Sequence, residues 1–150
     1  LMDAINEALE KIWNVLYPYS DYPGLKIIPS EEKDDYELVF KSKSGYVRVD
    51  GIASGGERAL ACLALRIALS MVLTPKLSWL ILDEPTHNLD EEGIKTLAIV
   101  LHDHVPKLVE QIFLITHDEN LKDAVSGKFI VVERDKNIPE ISHVEEISIK

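Results

Sequence analysis

The sequence predicts an α/β fold with a largely parallel sheet flanked by helices. Residues 79–82 form a continuous apolar run of strand length, as expected for a parallel strand covered on both faces, and residues 111–115, apolar after Gln111, are predicted to form a second buried strand. Apolar residues recur at helical spacing in two segments, residues 55–73 before the first strand and residues 91–105 between the two strands. Strands that alternate with helices are typical of a parallel sheet.

An N-terminal helix is predicted by a seam of apolar residues that ends before Pro18. The seam alternates steps of three and four residues, the spacing of a coiled coil, and consists of Met2, Ile5, Leu9, Ile12 and Leu16. We interpret residues 1–17 as the end of a coiled coil and residues 18–150 as the lobe that follows it. A surface helix packed on its own domain would produce the same pattern.

The other elements are short and are predicted from strand composition and turn residues. They are a hairpin of strands at 36–40 and 46–50, a short helix at 119–125, and a closing pair of strands at 128–133 and 141–149 around a turn at 135–139. A chain of 150 residues is long enough to bury one hydrophobic core.

Composition restricts the possible functions. The formal net charge is −10 at pH 7, so the chain alone is expected to bind nucleic acid poorly, since such binding depends on Lys and Arg. The single cysteine, Cys62, excludes an internal disulfide and is expected to be a buried small residue. No apolar stretch has the length of a membrane span and no secretory pattern is visible, so we expect a cytoplasmic location without membrane contact.

The segment Ser-Gly-Gly-Glu-Arg at 54–58 lies at the start of the first apolar helix. Ser54 and Glu57 have the spacing of a capping box, which is a sufficient structural reason for both. It does not explain Gly55 and Gly56, because a glycine weakens a helix by about 0.5–1 kcal/mol relative to alanine. Glycines expose backbone N–H groups at the positive end of the helix, where a phosphate is the natural ligand.

Two adjacent carboxylates, Asp83 and Glu84, follow the first buried strand. Ligands of open α/β sheets collect at the C-terminal ends of the strands. One carboxylate could hold the water shell of Mg²⁺, which favours sparse carboxylate ligation, and the other could orient or deprotonate a water. A strand that runs into a polar turn would contain the same residues.

Further polar residues follow in order. Asp90 precedes the second helix and could be only its N-cap. His117 follows the second buried strand and would lie in the layer of the two carboxylates if the strands are neighbours, although a single histidine there is often structural. A metal-dependent hydrolase using His102 or His104 is another possibility, but these two side chains point to different faces of a helix.

Taken in this order, the motifs resemble the second half of an ABC ATPase head, which has a P-loop NTPase fold. Residues 54–57 match the signature loop, Asp83 and Glu84 end the Walker B strand, Leu-Asp at 89–90 matches the D-loop, and His117 matches the switch histidine. Pro-Thr after the Walker B glutamate and the coiled-coil seam are similar to the SMC-like ATPase of DNA double-strand-break repair, the partner of a manganese-dependent nuclease. Archaeal members are the most similar.

The sequence contains no Walker A motif. Its one Gly-Lys pair, Gly127 and Lys128, is followed by Phe129 in place of Ser or Thr. The resemblance therefore implies the C-terminal half of a head, which hydrolyses ATP only together with the P-loop-containing N-terminal half of the same protein.

The resemblance also implies roles for the residues that match the motifs, in a site completed across a homodimer of heads with ATP and Mg²⁺. The γ-phosphate of the ATP bound to the opposite head would be contacted by Ser54, Gly55 and Gly56, with Glu57 and Asp90 at the same interface. Asp83 would act on Mg²⁺ through water, and Glu84 would be the base or water-orienting group. His117 would contact the γ-phosphate. Hydrolysis would then release the two heads.

The implied partners are the second head, DNA, and a repair nuclease at the base of the coiled coil, with a nucleoid-associated location in a prokaryote. Two alternatives stay open. One is a chromosome-structuring SMC head, although these usually have Val-Asp after the Walker B glutamate. The other is a non-catalytic ABC-like module that dimerises or docks a partner, although the intact Glu84 and His117 argue against it.

Overall fold

The structure, a computed structural model, describes residues 1–30, 34–87, 89–124, 127–135 and 142–148, the side chains of 122–124 and 147–148 excepted. Apart from Asp135, the turn predicted at 135–139 lies outside these residues. In the part of the chain that is described, no helix is both long enough and apolar enough to cross a bilayer.

The elements follow one another in an order close to the predicted one. They are α1 (Met2–Leu16), β1 (Gly24–Pro29), β2 (Tyr36–Ser42), β3 (Gly45–Arg48), α2 (Val49–Ile52), α3 (Gly55–Leu73), β4 (Trp79–Asp83), α4 (Glu91–Asp103), a 3₁₀ helix (Val105–Lys107), β5 (Gln111–Ile115), a second 3₁₀ helix (Glu119–Ala124), β6 (Lys128–Arg134) and β7 (Ser142–Ser148).

Within the described residues the strands form three sheets. Strands β1, β2 and β3 form an antiparallel meander, in which Phe40 lies opposite Leu25 on one side and Val47 on the other. Strands β4 and β5 are parallel, with Asp83 opposite Ile115. Strands β6 and β7 form an antiparallel pair. The predicted hairpin, parallel pair and closing pair are confirmed, and with the helices they confirm the α/β class.

Two local features were not predicted. Strand β1 lies between Pro23 and Pro29 and carries Lys26 in its middle, so its apolar pattern is too short and interrupted to be distinctive. The second strand of the hairpin ends at Arg48, and residues 49–52 form the short helix α2 instead of extending the strand. This helix leads directly into the segment that precedes α3.

Helix α1 packs on its own domain through the predicted seam. Ile5, Leu9, Ile12 and Leu16 are each at most 5% exposed, and the helix contacts α3 and β1. Its contact with β1 is also polar, because the Asn6 side chain donates to the Ile27 carbonyl at 3.0 Å and accepts from the Ile27 N–H at 2.8 Å. The seam is therefore occupied within this chain, and the coiled-coil origin of residues 1–17 stays a prediction.

Helix α3 lies at the centre of the core, between α1 and α4. Its buried residues are Leu60, Ala61, Leu63, Ala64, Ile67 and Ala68. The alanines leave room for neighbouring helices to approach closely, while the larger side chains fill the space around them. One continuous cluster of buried apolar residues joins α1, the antiparallel sheet, α3, α4 and β4.

The sheet of β4 and β5 is covered on one face only. Leu80 and Leu82 point into the core and are buried. The other face carries Trp79, Ile81, Phe113 and Ile115, which are between 40% and 62% exposed. The prediction that both faces of these strands are covered is wrong for the described chain, because no described element packs on this side. We call these four residues the open face.

Candidate functional site

The first part of the candidate site is the N-terminus of α3, where the predicted capping box is present. The Ser54 N–H donates to Glu57 Oε2 at 2.8 Å, and the Glu57 N–H donates to Ser54 Oγ at 3.3 Å. Two N–H groups that the helix cannot satisfy are therefore paired within the loop. Ser54 and Gly55 remain exposed, and Glu57 is half-buried.

Gly56 has a packing reason that sequence analysis missed. A Cβ built on Gly56 would lie 3.3 Å from the Cα of Gly93, so the backbones of α3 and α4 touch in their first turns. A side chain here would be tight against Gly93, so close approach of the two helices favours glycine at this position independently of any anion. Gly56 therefore has a packing explanation beside the ligand-based one, whereas Gly55 has only the latter.

Asp90 lies beside this contact. It is the N-cap of α4, where its Oδ1 accepts from the Gly93 N–H at 2.8 Å, as predicted. Since Gly93 touches Gly56, the N-termini of α3 and α4 lie next to each other. Each carries roughly half a positive charge, and the two together favour an anion in front of them more than one does.

The second part of the site is the turn after β4. Glu84 has φ of +45°, and it is the one non-glycine residue with positive φ in the described part of the chain. This left-handed conformation is uncommon for such residues and costs of order 1–3 kcal/mol, and it occurs often at functional sites. The Glu84 N–H donates to the Ile115 carbonyl at 2.8 Å, which ties the turn to β5.

Glu84 and His117 are brought together, although 33 positions separate them in the sequence. Glu84 Oε1 lies 2.8 Å from His117 Nδ1, and Thr116 Oγ1 lies 3.5 Å from Glu84 Oε2. The hydrogen bond that His117 donates to Glu84, and next the negative charge of Glu84, raise the pKa of the His117 imidazole above its ordinary value. The contact forms because β4 and β5 are parallel neighbours that end at the same edge.

The two parts border one open cleft of about 410 Å³. Its walls include Gly55, Arg58, Cys62 and Arg66 from α3, and Asp83, Glu84, Pro85, His87 and Leu89 from the segment that ends β4 and follows it. Cys62 is exposed, so the expectation of a buried cysteine is wrong. Spaced four residues apart, Arg58, Cys62 and Arg66 share the side of α3 that faces the cleft and not α1.

The acidic groups fit a magnesium ion held mainly by water. Asp83 is exposed at the end of β4 and lines the cleft beside Glu84. Mg²⁺ is usually held by one or two carboxylates, with waters and phosphates in the remaining positions. Across the described residues there is no group of three or more His, Cys, Asp or Glu side chains placed to hold a metal.

One further residue at the site was not identified from the sequence. The Tyr17 hydroxyl lies 3.0 Å from Glu57 Oε1, across 40 positions of sequence. Nothing local to Tyr17 predicts this contact, because it depends on how the end of α1 packs against the start of α3.

Comparison with known proteins identifies the relatives of this chain. No protein-family model matches it. It is 38% identical over 126 residues to the DNA double-strand break repair Rad50 ATPase of Archaeoglobus fulgidus, covering 83% of this chain and 14% of that protein. It is 31% identical over 150 aligned positions to the DNA repair protein RAD50 of Saccharomyces cerevisiae, covering 89% of this chain and 11% of that protein. The chain belongs to the Rad50 family.

Solved structures that resemble it include SMC ATPases and SMC head domains. One, described for ATP-driven dimerization and DNA-stimulated activation of SMC ATPases, has a TM-score of 0.69 at 23% identity and covers 98% of this chain and 85% of its own. The SMC head domain from Thermotoga maritima has a TM-score of 0.64 at 21% identity, covering 98% of this chain and 48% of its own. The chain therefore has the fold of an SMC head, and it spans only a small part of its Rad50 relatives.

Proposed function

We propose that this Rad50-family chain is the C-terminal half of an ATP-hydrolysing head, which works together with a P-loop-containing segment of the same protein. The observation that carries the proposal is the contact between Glu84 and His117 at the edge of the parallel sheet. The proposed reaction is Mg²⁺-dependent hydrolysis of ATP in a site shared between two heads.

The chemistry follows from the positions of the three groups after β4 and β5. When bound, Mg²⁺ would neutralise charge on the phosphates, held through water by Asp83. Glu84 orients the attacking water and accepts its proton, since its carboxylate is fixed at the cleft by His117. His117 is 86% exposed and its raised pKa favours the charged form, so the imidazole can also donate to the γ-phosphate.

The open face supports the need for a second segment. Four large apolar side chains on adjacent parallel strands are exposed, whereas parallel sheets are normally covered on both sides. We assign the cover to the P-loop-containing segment, because the sequence has no Walker A motif and the chain covers 14% of its archaeal relative. The P-loop would then reach the edge at which Asp83 and Glu84 lie.

The signature loop is suited to a nucleotide held by the opposing head. Ser54 and Gly55 are exposed at the N-terminus of α3, and the N-terminus of α4 adds its positive end nearby. An ATP bridging two heads would contact Ser54, Gly55 and Gly56 on one head, with Glu57 and Asp90 shaping the same surface. ATP then holds the heads together, and hydrolysis releases them.

The cellular role is proposed from the family. The relatives are named for repair of DNA double-strand breaks, and we propose the same role, with DNA and a repair nuclease at the base of the coiled coil as partners. Because the formal charge is −10, we assign most of the proposed DNA-binding surface to other parts of the protein or to local patches. This role implies a cytoplasmic, nucleoid-associated location in a prokaryote.

The proposal is tested by producing this chain with the P-loop-containing segment of its own protein and measuring Mg²⁺-ATP hydrolysis. We expect activity in the mixture, none from the chain alone, and a loss of at least about 100-fold with Glu84→Gln, as for removal of a group that acts on the attacking nucleophile. Glu110→Gln is the matched control, since this exposed carboxylate lies at the opposite end of the same sheet and should leave the rate unchanged. No activity from a folded mixture with DNA added would overturn the proposal in favour of a non-catalytic docking module.

A further inference from the structure

Tyr17 is held rigidly at the end of α1. Its side chain is buried, its ring stacks on Trp13 with centroids 4.7 Å apart, and the edge of Tyr19 packs against it at 4.9 Å. Trp13 is itself fixed by a hydrogen bond of 2.8 Å to the Tyr22 carbonyl. The direction of the Tyr17 hydroxyl is therefore set by the core.

This hydroxyl is the start of a chain of contacts that ends at the signature serine. The Tyr17 oxygen lies 3.0 Å from Glu57 Oε1. The other oxygen of the same carboxylate accepts from the Ser54 N–H at 2.8 Å. Since one carboxylate bridges the two, the position of Glu57, and with it the Ser54 backbone, depends on Tyr17.

The same hydroxyl has a second acceptor. Asp21 Oδ2 lies 2.8 Å from the Tyr17 oxygen. A phenol has one hydrogen to donate, so it can serve only one of the two carboxylates at a time. Burial, followed by the two carboxylates, raises the pKa of the Tyr17 phenol, so the hydroxyl keeps this proton throughout the physiological range. Asp21 and Glu57 therefore compete for it.

We infer that Tyr17 is a positioning residue for the signature loop: by donating to Glu57 it fixes the carboxylate that holds the Ser54 backbone, and Asp21 competes for the same proton. The functional consequence of this inference rests on the proposed function, in which the signature loop contacts the nucleotide held by the opposing head. The network itself is a property of this chain and can be measured without any reaction.

The primary test is amide hydrogen exchange in the reconstituted head, measured by NMR at Ser54 and Glu57 for the wild type and for Tyr17→Phe. Phenylalanine keeps the ring and removes only the hydroxyl. We expect exchange at Ser54 to accelerate about fivefold, as for loss of one hydrogen bond, while exchange in the middle of α3 stays unchanged. Equal exchange at Ser54 in the two proteins would overturn the inference.

Two matched variants separate positioning from general loosening of the aromatic cluster. Tyr19→Phe removes a hydroxyl from a ring of the same cluster that is 63% exposed, and should leave Ser54 exchange as it is. Asp21→Ala removes the competitor and should slow Ser54 exchange by about twofold if the two acceptors share the proton equally. Acceleration by either variant as large as that of Tyr17→Phe would contradict the assignment.

A functional readout completes the test and is independent of the first. In a head that hydrolyses ATP, Tyr17→Phe should weaken ATP-driven dimerisation about fivefold while the turnover of the saturated dimer is kept. If the wild-type head shows no hydrolysis, the proposed function fails, yet the exchange experiment still decides the role of Tyr17. If Tyr17→Phe accelerates exchange at Ser54 but dimerises normally with ATP, the Tyr17–Glu57–Ser54 network does not affect nucleotide binding between the heads, and that part of the inference is overturned.

Discussion

Two apolar surfaces of this chain have opposite surroundings. The seam of α1 is at most 5% exposed from Ile5 to Leu16, because α3 and β1 lie against it. The open face of β4 and β5 leaves side chains such as Ile81 and Phe113 at 62% and 40% exposure. An apolar pattern thus shows that a surface needs a partner, but it does not show whether the partner lies in the same chain. The stability of this chain rests on the first surface, and we assign completion of its site to the second.

The largest effect is expected from damage to the α1 seam. Leu9→Ala should lower the free energy of unfolding by about 2–5 kcal/mol, since a fully buried leucine leaves a cavity when truncated. Urea denaturation of the chain would measure this loss. Ala8→Gly on the same helix controls for helix propensity, at a cost of about 1 kcal/mol. A Leu9→Ala loss no greater than that of the control would show that the seam does not carry the core.

A smaller effect, of a different kind, is expected on the open face. Ile81→Thr keeps a β-branched strand residue, so the stability of the chain alone should change by less than about 0.5 kcal/mol. Its association with the P-loop-containing segment should weaken by about 1.5 kcal/mol, roughly tenfold, as apolar burial is lost. Titration calorimetry with that segment would measure the difference. Ile99→Thr, at an exposed position of α4, is the control, and equal weakening by both variants would remove the open face as the docking surface.

The smallest effect concerns the site itself, and it shows whether the site is formed before a partner arrives. The pKa of His117 is raised in the folded chain by Glu84. The stabilisation from this pair is therefore fully present below the unfolded pKa of His117 and is lost as the pH rises through the folded pKa. An NMR titration of His117 in the chain alone should give a midpoint above the ordinary value of 6.5, which Glu84→Gln returns towards that value. A midpoint unaffected by this substitution would mean that the pair forms only in the assembled head.

The parts of the molecule that sequence predicted are those fixed by local rules. The capping box of Ser54 and Glu57 depends on a spacing of three residues, and the existence of the two parallel strands, though not the burial of both their faces, depends on short apolar runs. The meeting of Glu84 with His117 was expected on condition that their strands are neighbours, and the parallel pairing supplies that condition. The proposed roles of these residues in catalysis and nucleotide binding stay predictions.

The parts that sequence did not predict depend on packing between distant elements. The contact of Gly56 with Gly93 joins α3 to α4, and that of Tyr17 with Glu57 joins the end of α1 to the start of α3. The exposure of Cys62 follows from the orientation of α3, since the buried side of a helix that is apolar nearly all round cannot be chosen from its pattern. In each case the sequence specifies the residue, but the neighbour comes from tertiary structure.

The hydrogen bond from the Glu84 N–H to the Ile115 carbonyl continues the pairing of β4 and β5 by one residue beyond the last strand position. The backbone of Glu84 is therefore tied to the end of the sheet. This backbone loses its conformational entropy when the protein folds. This entropic cost therefore does not recur each time a substrate is bound. If Glu84 is the proposed base, its backbone is ordered once, when the protein folds, and each proposed catalytic cycle would begin with that backbone already in place.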